Sequence, residues 1–316
     1  MEKDAKIYVA GGETLIGAGL LRQLEHQGYT NLCNRAHHDG DLAIASEVED
    51  YFQTTRPEYV FHAAGKSGGI GANVAQPAEL MRDNLLAGTH VIEAAHRHRV
   101  RKLLYLASSC SYPRHCAQPM RVEDLLSGPL EPTNEAYAVA KIAGIKLCQA
   151  YRRQYGDDFI VGIPANTFGP GDDFSLDHSH VIAALLRKMH DAALRGDDAI
   201  TLWGTGSARR EFVFVDDLAD ACIQVMREYS DDEPINLGGG LVLSIRQLAE
   251  TIGRVVGFEG SLEFDPSQPD GMPKKGLDGS KLLSMGWRPQ VQLEDALRIT
   301  YRWYLDNQQT DRARAA

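Results

Sequence analysis

Tyr137 and Lys141 stand four residues apart in "EAYAVAKIAGIKLCQAYRRQYG", downstream of a strand-like run that ends in "ASSC" with Ser108 and Cys110. That spacing puts the two side chains on one helix face, a turn apart. An ammonium beside a phenol favours the phenolate, so Lys141 is expected to lower the Tyr137 pKa. Such a pair suits proton donation to a forming alkoxide, and Ser108 at a strand end can hydrogen-bond the same oxygen. A bare Tyr-x-x-x-Lys arises by chance in many helices. It gains weight here from the upstream serine and from a glycine-bearing turn near the start of the chain.

That turn is "YVAGGETLIGAG". Gly11 and Gly17 stand where a dinucleotide-binding loop has its outer glycines, with Thr14 in the middle position and the acid Glu13 beside it. The turn joins a short apolar strand to a helix, so the first helical N–H groups, at Leu15 and Ile16, and the helix dipole would face a diphosphate. Thr14 adds a Cβ to the approach, and its hydroxyl could donate to a phosphate oxygen. Sites for NAD usually end the second strand with an acid that holds the ribose diol. Here "NLCNRAHH" offers Arg35 instead, which suits a 2′-phosphate and points to NADP. Asp41 and Leu42 follow at a spacing suited to the adenine.

The elements that must position these residues alternate between apolar strands and amphipathic helices. "KIYVA", "YVFHAAG", "KLLYLASS" and "FIVGIPAN" read as buried strands, with long helices between the last three. This is the pattern of an α/β fold, a Rossmann-type doubly wound parallel sheet with helices on both faces. Ligands bind at the carboxyl ends of such strands, which adds Ala63, Ala64, Gly65, Pro164 and Asn166 to the expected cofactor lining. Residues 1–165 are expected to form the NADP-binding domain. Residues 166–316 would form a smaller, mainly substrate-binding α/β domain, with about 211–240 returning to the first sheet.

Composition sets the outer bounds. A net charge of −10 and 43% hydrophobic residues describe an ordinary soluble chain and disfavour nucleic acid as a partner. No apolar run reaches the roughly 20 residues of a membrane span, and the N-terminus lacks a secretory apolar core. The five scattered cysteines argue against a disulfide framework, for a reducing compartment and so for the cytoplasm. No cysteine–histidine cluster has zinc spacing, so no metal is expected. His62 reads as structural. "HRHRVRK" (96–102) reads as cations neutralising a helix C-terminus.

Over nearly its whole length the chain resembles the extended short-chain dehydrogenase/reductases, within them the branch that epimerises and reduces nucleotide-linked 4-keto-6-deoxyhexoses. The stretches that carry this are "SSCSYP", "EPTNEAYAVAKIAGIKLC", "SHVIAALLRK", "WGTGSARREFVFVDDLA" and "FDPSQPDGMPKK". The resemblance implies an NADPH-dependent enzyme and a GDP-linked substrate, GDP-4-keto-6-deoxy-D-mannose, converted to GDP-L-fucose. Ser108, Tyr137 and Lys141 would be the reductase set, and Cys110 and His180 the pair that moves protons in epimerisation. Ser109, Asn166, Lys188, Trp203, Arg210 and Lys274 would line the substrate pocket. It also implies a homodimer paired through helices 78–99 and 134–154. The chain departs from the branch at Glu13 and Thr14, where a basic residue and a glycine are usual, at Phe168 and Ala183, and in the loop "DDFSLDH". A related 4-ketoreductase or epimerase acting on another nucleotide-linked hexose or heptose fits these departures. A non-catalytic nucleotide-binding protein is the remaining alternative.

Overall fold

The computed structural model describes residues 1–35, 37–175, 179–268 and 270–315, with side chains described except at Arg35 and 309–315. The chain runs β1 (Ile7–Ala10), α1 (Leu15–His26), α2 (Ala45–Thr55), β2 (Tyr59–His62), α3 (Ile70–Ala75), α4 (Pro77–Arg97) and β3 (Lys102–Leu106). It continues through α5 (Glu135–Tyr155), β4 (Phe159–Pro164), β5 (Asn166–Phe168), α6 (Val181–Arg195), β6 (Ala199–Trp203), β7 (Arg209–Phe214), α7 (Val215–Glu228) and β8 (Ile235–Leu237). Then come β9 (Val242–Ser244), α8 (Ile245–Val256), β10 (Ser261–Asp265), β11 (Lys274–Lys275), α9 (Ser280–Ser284) and α10 (Leu293–Ala315).

A five-stranded parallel sheet in the order β1-β2-β3-β4-β8 forms the main layer. Its strands are buried on both faces, as the unbroken apolar runs require. Helices α4 and α5 pack against each other, and α1 packs on α7. A second core lies under α6, α8 and α10 and includes Phe168, Leu186, Leu202, Leu248 and Leu297. Two smaller sheets belong to this half: β6 pairs with β10, while β7 pairs with β5, β9 and β11. Of the stretch 211–240, α7 and β8 join the main sheet and its helices, whereas β7 stays in the smaller sheet.

The stretch "NLCNRAHH" forms no regular second strand. Leu32 makes one parallel bridge to Ile7, and the chain then turns through a 3-10 helix at Cys33–Arg35. Beyond the bridge, the Asn34 side chain takes the place of a strand. Its Oδ1 accepts the Val9 N–H at 2.9 Å and its Nδ2 donates to the Val9 carbonyl at 2.8 Å, so the edge of β1 has no orphaned backbone groups at that residue. With Leu32 on one side of β1 and β2 on the other, the winding reverses at β1. The crevice at the carboxyl end of β1 is therefore the expected ligand position.

Candidate functional site

The glycine turn closes that crevice. Gly11 has φ +76°, and a Cβ there would sit 2.6 Å from Ala64 Cα. A Cβ on Gly17 would sit 1.9 Å from the Gly11 carbonyl oxygen, so the first turn of α1 can fold back on the loop only with glycine at that position. Thr14 is the N-cap of α1. Its Oγ1 accepts the Gly17 N–H at 3.1 Å and donates to the Gly11 carbonyl at 2.8 Å, with Ala63 O at 3.3 Å. The hydroxyl expected to reach a phosphate is thus engaged inside the loop, because cap geometry turns it toward the helix. Thr14→Ala should lower stability by about 1 kcal/mol in urea unfolding, and Thr14→Gly by only a few tenths. Equal losses for the two would show that the cap is not the source.

The Leu15 and Ile16 N–H groups open α1 and have no partner within the helix. Asp39, missed in the sequence, is buried beside this loop, its Oδ2 accepting from Tyr8 Oη at 3.1 Å and from Gly11 N at 3.3 Å. Arg35 ends the 3-10 turn next to β1, and its side chain lies outside the described residues. Asp41 accepts the Ala43 N–H at 2.9 Å, and the Leu42 carbonyl contacts His90 Nδ1 at 3.0 Å. Ala63, Ala64 and Gly65 follow β2, while Pro164 and Asn166 mark the end of β4 and the start of β5.

The residues expected to react gather after β3 and on the first turns of α5. Ser108 caps a 3-10 turn, Ser109–Ser111, and its Oγ accepts the Cys110 N–H at 3.2 Å. Tyr137 lies in the first turn of α5. Burial pushes its phenol above the ordinary range, the nearby Cys110 adds to this, and a hydrogen bond with Ser108 opposes it. The expected lowering by Lys141 is not seen. Lys141 Nζ is 5.9 Å from the Tyr137 ring centroid and donates to Leu106 O at 3.3 Å and Ala64 O at 3.4 Å. Burial pushes the Lys141 ammonium down to about 8. His62, under this site, is pushed down to about 3 by burial, with Nε2 against Ala87 O at 3.3 Å, in keeping with a structural role.

Cys110 Sγ accepts from Asn134 Nδ2 at 3.3 Å and from Lys275 Nζ at 3.2 Å. Neither partner was singled out in the sequence. Asn134 could have been, since it stands at the N-cap of α5, three residues before Tyr137. On β11, Lys274 is exposed and Lys275 is buried, because successive strand residues point to opposite sides. Arg210, in register with Lys275, donates to Asp270 O at 3.0 Å. His180 caps α6, its Nδ1 3.9 Å from the buried Asp172 carboxylate, and no hydrogen bond joins it to Cys110. Lys188 donates to Thr201 O, and Trp203 is 61% exposed at the end of β6.

Asn84 Oδ1, Asn134 Oδ1, Asp172 Oδ2 and Ser179 Oγ are buried without a hydrogen-bond partner among the described residues. Asn84 donates to Lys66 O just past Gly65, and the other three flank Cys110 and His180. Orphaned polar atoms and a free helix N-terminus suit a polar dinucleotide and a second polar ligand.

A doubly wound parallel sheet with a glycine turn at its switch point is a dinucleotide-binding fold. The chain belongs to the NAD dependent epimerase/dehydratase family, which it matches over residues 7–238. Among similar curated proteins, putative GDP-L-fucose synthase 2 of Arabidopsis thaliana is 50% identical over 97% of this chain and 94% of its own. A solved GDP-6-OMe-4-keto-L-xylo-heptose reductase from C. jejuni is 32% identical with a TM-score of 0.89, covering 97% of this chain and 99% of that one. A GDP-L-fucose synthetase from Naegleria fowleri, solved bound to NADP, is 29% identical with a TM-score of 0.88, covering 98% and 97%.

Proposed function

We propose that this chain is an NADPH-dependent epimerase/reductase that converts GDP-4-keto-6-deoxy-D-mannose to GDP-L-fucose. The observation that carries this reading is the meeting of Cys110 with Ser108 and Tyr137 at the end of β3, in a chain half identical to proteins named for that product. When bound, NADPH supplies the hydride for C4. The chain's own groups do the rest. The first N–H groups of α1 hold the diphosphate of the dinucleotide. Arg35 is assigned to its 2′-phosphate.

The ketone at C4 acidifies the protons at C3 and C5. Cys110 removes one, and Ser108 and Tyr137 hydrogen-bond the oxygen that gains charge, a contribution of roughly 3–4 kcal/mol per donor in comparable sites. His180 delivers a proton to the opposite face. In reduction Tyr137 gives its proton to the C4 oxygen. Its raised pKa keeps that proton in place until the alkoxide forms. Lys188, Arg210 and Trp203 are assigned to the GDP moiety, with Ser109, Asn166 and Lys274 nearer the sugar.

No helix among the described residues is long and apolar enough to cross a membrane, and the reading includes a cytoplasmic homodimer paired through α4 and α5. The likeness to the heptose reductase favours one second reading, a 4-ketoreductase of a GDP-linked heptose. Incubating the enzyme and NADPH with GDP-linked and UDP-linked 4-keto hexoses and heptoses, with NMR of the products, separates the two. A product reduced at C4 with unchanged C3 and C5 would overturn the epimerase half.

A further inference from the structure

We propose that Lys275 is the counter-cation that holds Cys110 as a thiolate, a positioning role in epimerisation; this rests on the reading of Cys110 as the base. Lys275 Nζ lies 3.2 Å from Cys110 Sγ, and the lysine is only 9% exposed. A buried ammonium is expensive unless an anion or several acceptors meet it, and the sulfur is the one hydrogen-bond partner its side chain has among the described residues. Asn134 gives the sulfur a second donor at 3.3 Å. Two donors, with no acceptor among the described residues, are arranged for a thiolate, which accepts both, better than for a thiol with a proton of its own to place.

The other charged or titratable groups that face Cys110 are few. Tyr137 on α5 interacts with it electrostatically, as does Arg210 on β7, which is also engaged with the Arg209 and Asp270 carbonyls and balanced by the Asp270 carboxylate and by Glu131. Glu131 is paired with Arg114 at 3.3 Å. Among the described residues Lys275 is thus the cation in direct contact with the sulfur.

In the step itself the substrate C–H bond breaks and an S–H bond forms on Cys110. The electron pair of the broken bond moves to the C4 oxygen as an enolate. Lys275 keeps its protons throughout. It stabilises the thiolate before the transfer and again when the proton leaves.

The test is alkylation of the substrate-free enzyme by iodoacetamide across pH, read peptide by peptide by mass spectrometry. Cys33, Cys148 and Cys222 are buried, and the Cys116 peptide is an internal control. In Lys275→Met the Cys110 alkylation rate at pH 7 should fall about tenfold, and the loss should shrink as pH rises. Lys275→Arg should keep a profile near that of the wild type. Solvent-deuterium exchange at C3 and C5 of the keto sugar should fall with the alkylation rate and recover as pH rises. Lys275→Gln, which keeps a donor without the charge, reads the same quantity should the methionine variant fail to fold. An unchanged alkylation profile with only a raised KM overturns the proposal and makes Lys275 a substrate ligand. Absence of exchange in the wild type would instead overturn the epimerase reading, while alkylation still decides what Lys275 does to the sulfur.

Discussion

Cys110→Ser is expected to lose solvent-deuterium exchange at C3 and C5 by about 10²–10⁴-fold, the range for removing a positioned base, while still reducing the unepimerised ketone slowly. A serine hydroxyl is almost never an anion at neutral pH, so it cannot take a carbon-bound proton as a thiolate can. The reductase groups should survive the change. Ser108 holds the turn through a bond from the residue-110 backbone N–H, which the substitution keeps, and Tyr137 and Lys141 lie on α5. Tyr137→Phe should do the reverse. NADPH oxidation falls by about 10²–10⁴-fold because the alkoxide loses its proton donor. Exchange persists in part, since Ser108 still faces the enolate oxygen. Both quantities are read on one sample, deuterium by NMR and NADPH by absorbance. Exchange at the wild-type rate in Cys110→Ser would end the assignment of Cys110 and leave a simple 4-ketoreductase.

What the sequence made legible was local. The spacing of Tyr137 and Lys141, the outer glycines of the turn and the unbroken apolar strands each depend on residues close together in the chain, so periodicity alone locates them. What escaped depends on partners far apart. The edge of β1 is completed by an Asn34 side chain rather than by a strand, and no period announces that substitution. Asp39 comes against Gly11 N from 28 residues away. Lys275 reaches Cys110 across 165 residues, and choosing it over Lys274 needs the parity of a two-residue strand that the sequence does not mark. The sense of the Tyr137 shift differs from the expectation for the same reason. The spacing brings the ammonium only to 5.9 Å from the ring centroid, and burial set by the tertiary fold raises the phenol's pKa.

Lys141→Met is expected to give a protein that is more stable than the wild type at pH 7 and nearly inactive as a reductase. Burial alone pushes the Lys141 pKa from 10.5 down to about 8. The displacement corresponds to about 3 kcal/mol of lost native stability while the group is charged. The sign follows from proton binding. Between pH 8 and 10.5 the unfolded chain binds more protons at this residue than the native chain, so native stability gains as pH rises through that window. The burden is therefore complete below pH 8 and gone above 10.5. Methionine fills similar space without charge, but it leaves the Leu106 and Ala64 carbonyls without the ammonium donor. The net gain at pH 7 should then be about 1–3 kcal/mol, after about 1 kcal/mol or less for each of two long hydrogen bonds. Urea unfolding at pH 7 and again above pH 10 checks this, because the difference between variant and wild type should shrink toward zero or reverse at the higher pH. A constant difference would mean that the charge on Lys141 is not its origin. The same titration should give wild-type reduction an alkaline limb near pH 8, as the Lys141 ammonium in the site loses its charge, and that limb should be missing from the residual activity of Lys141→Met.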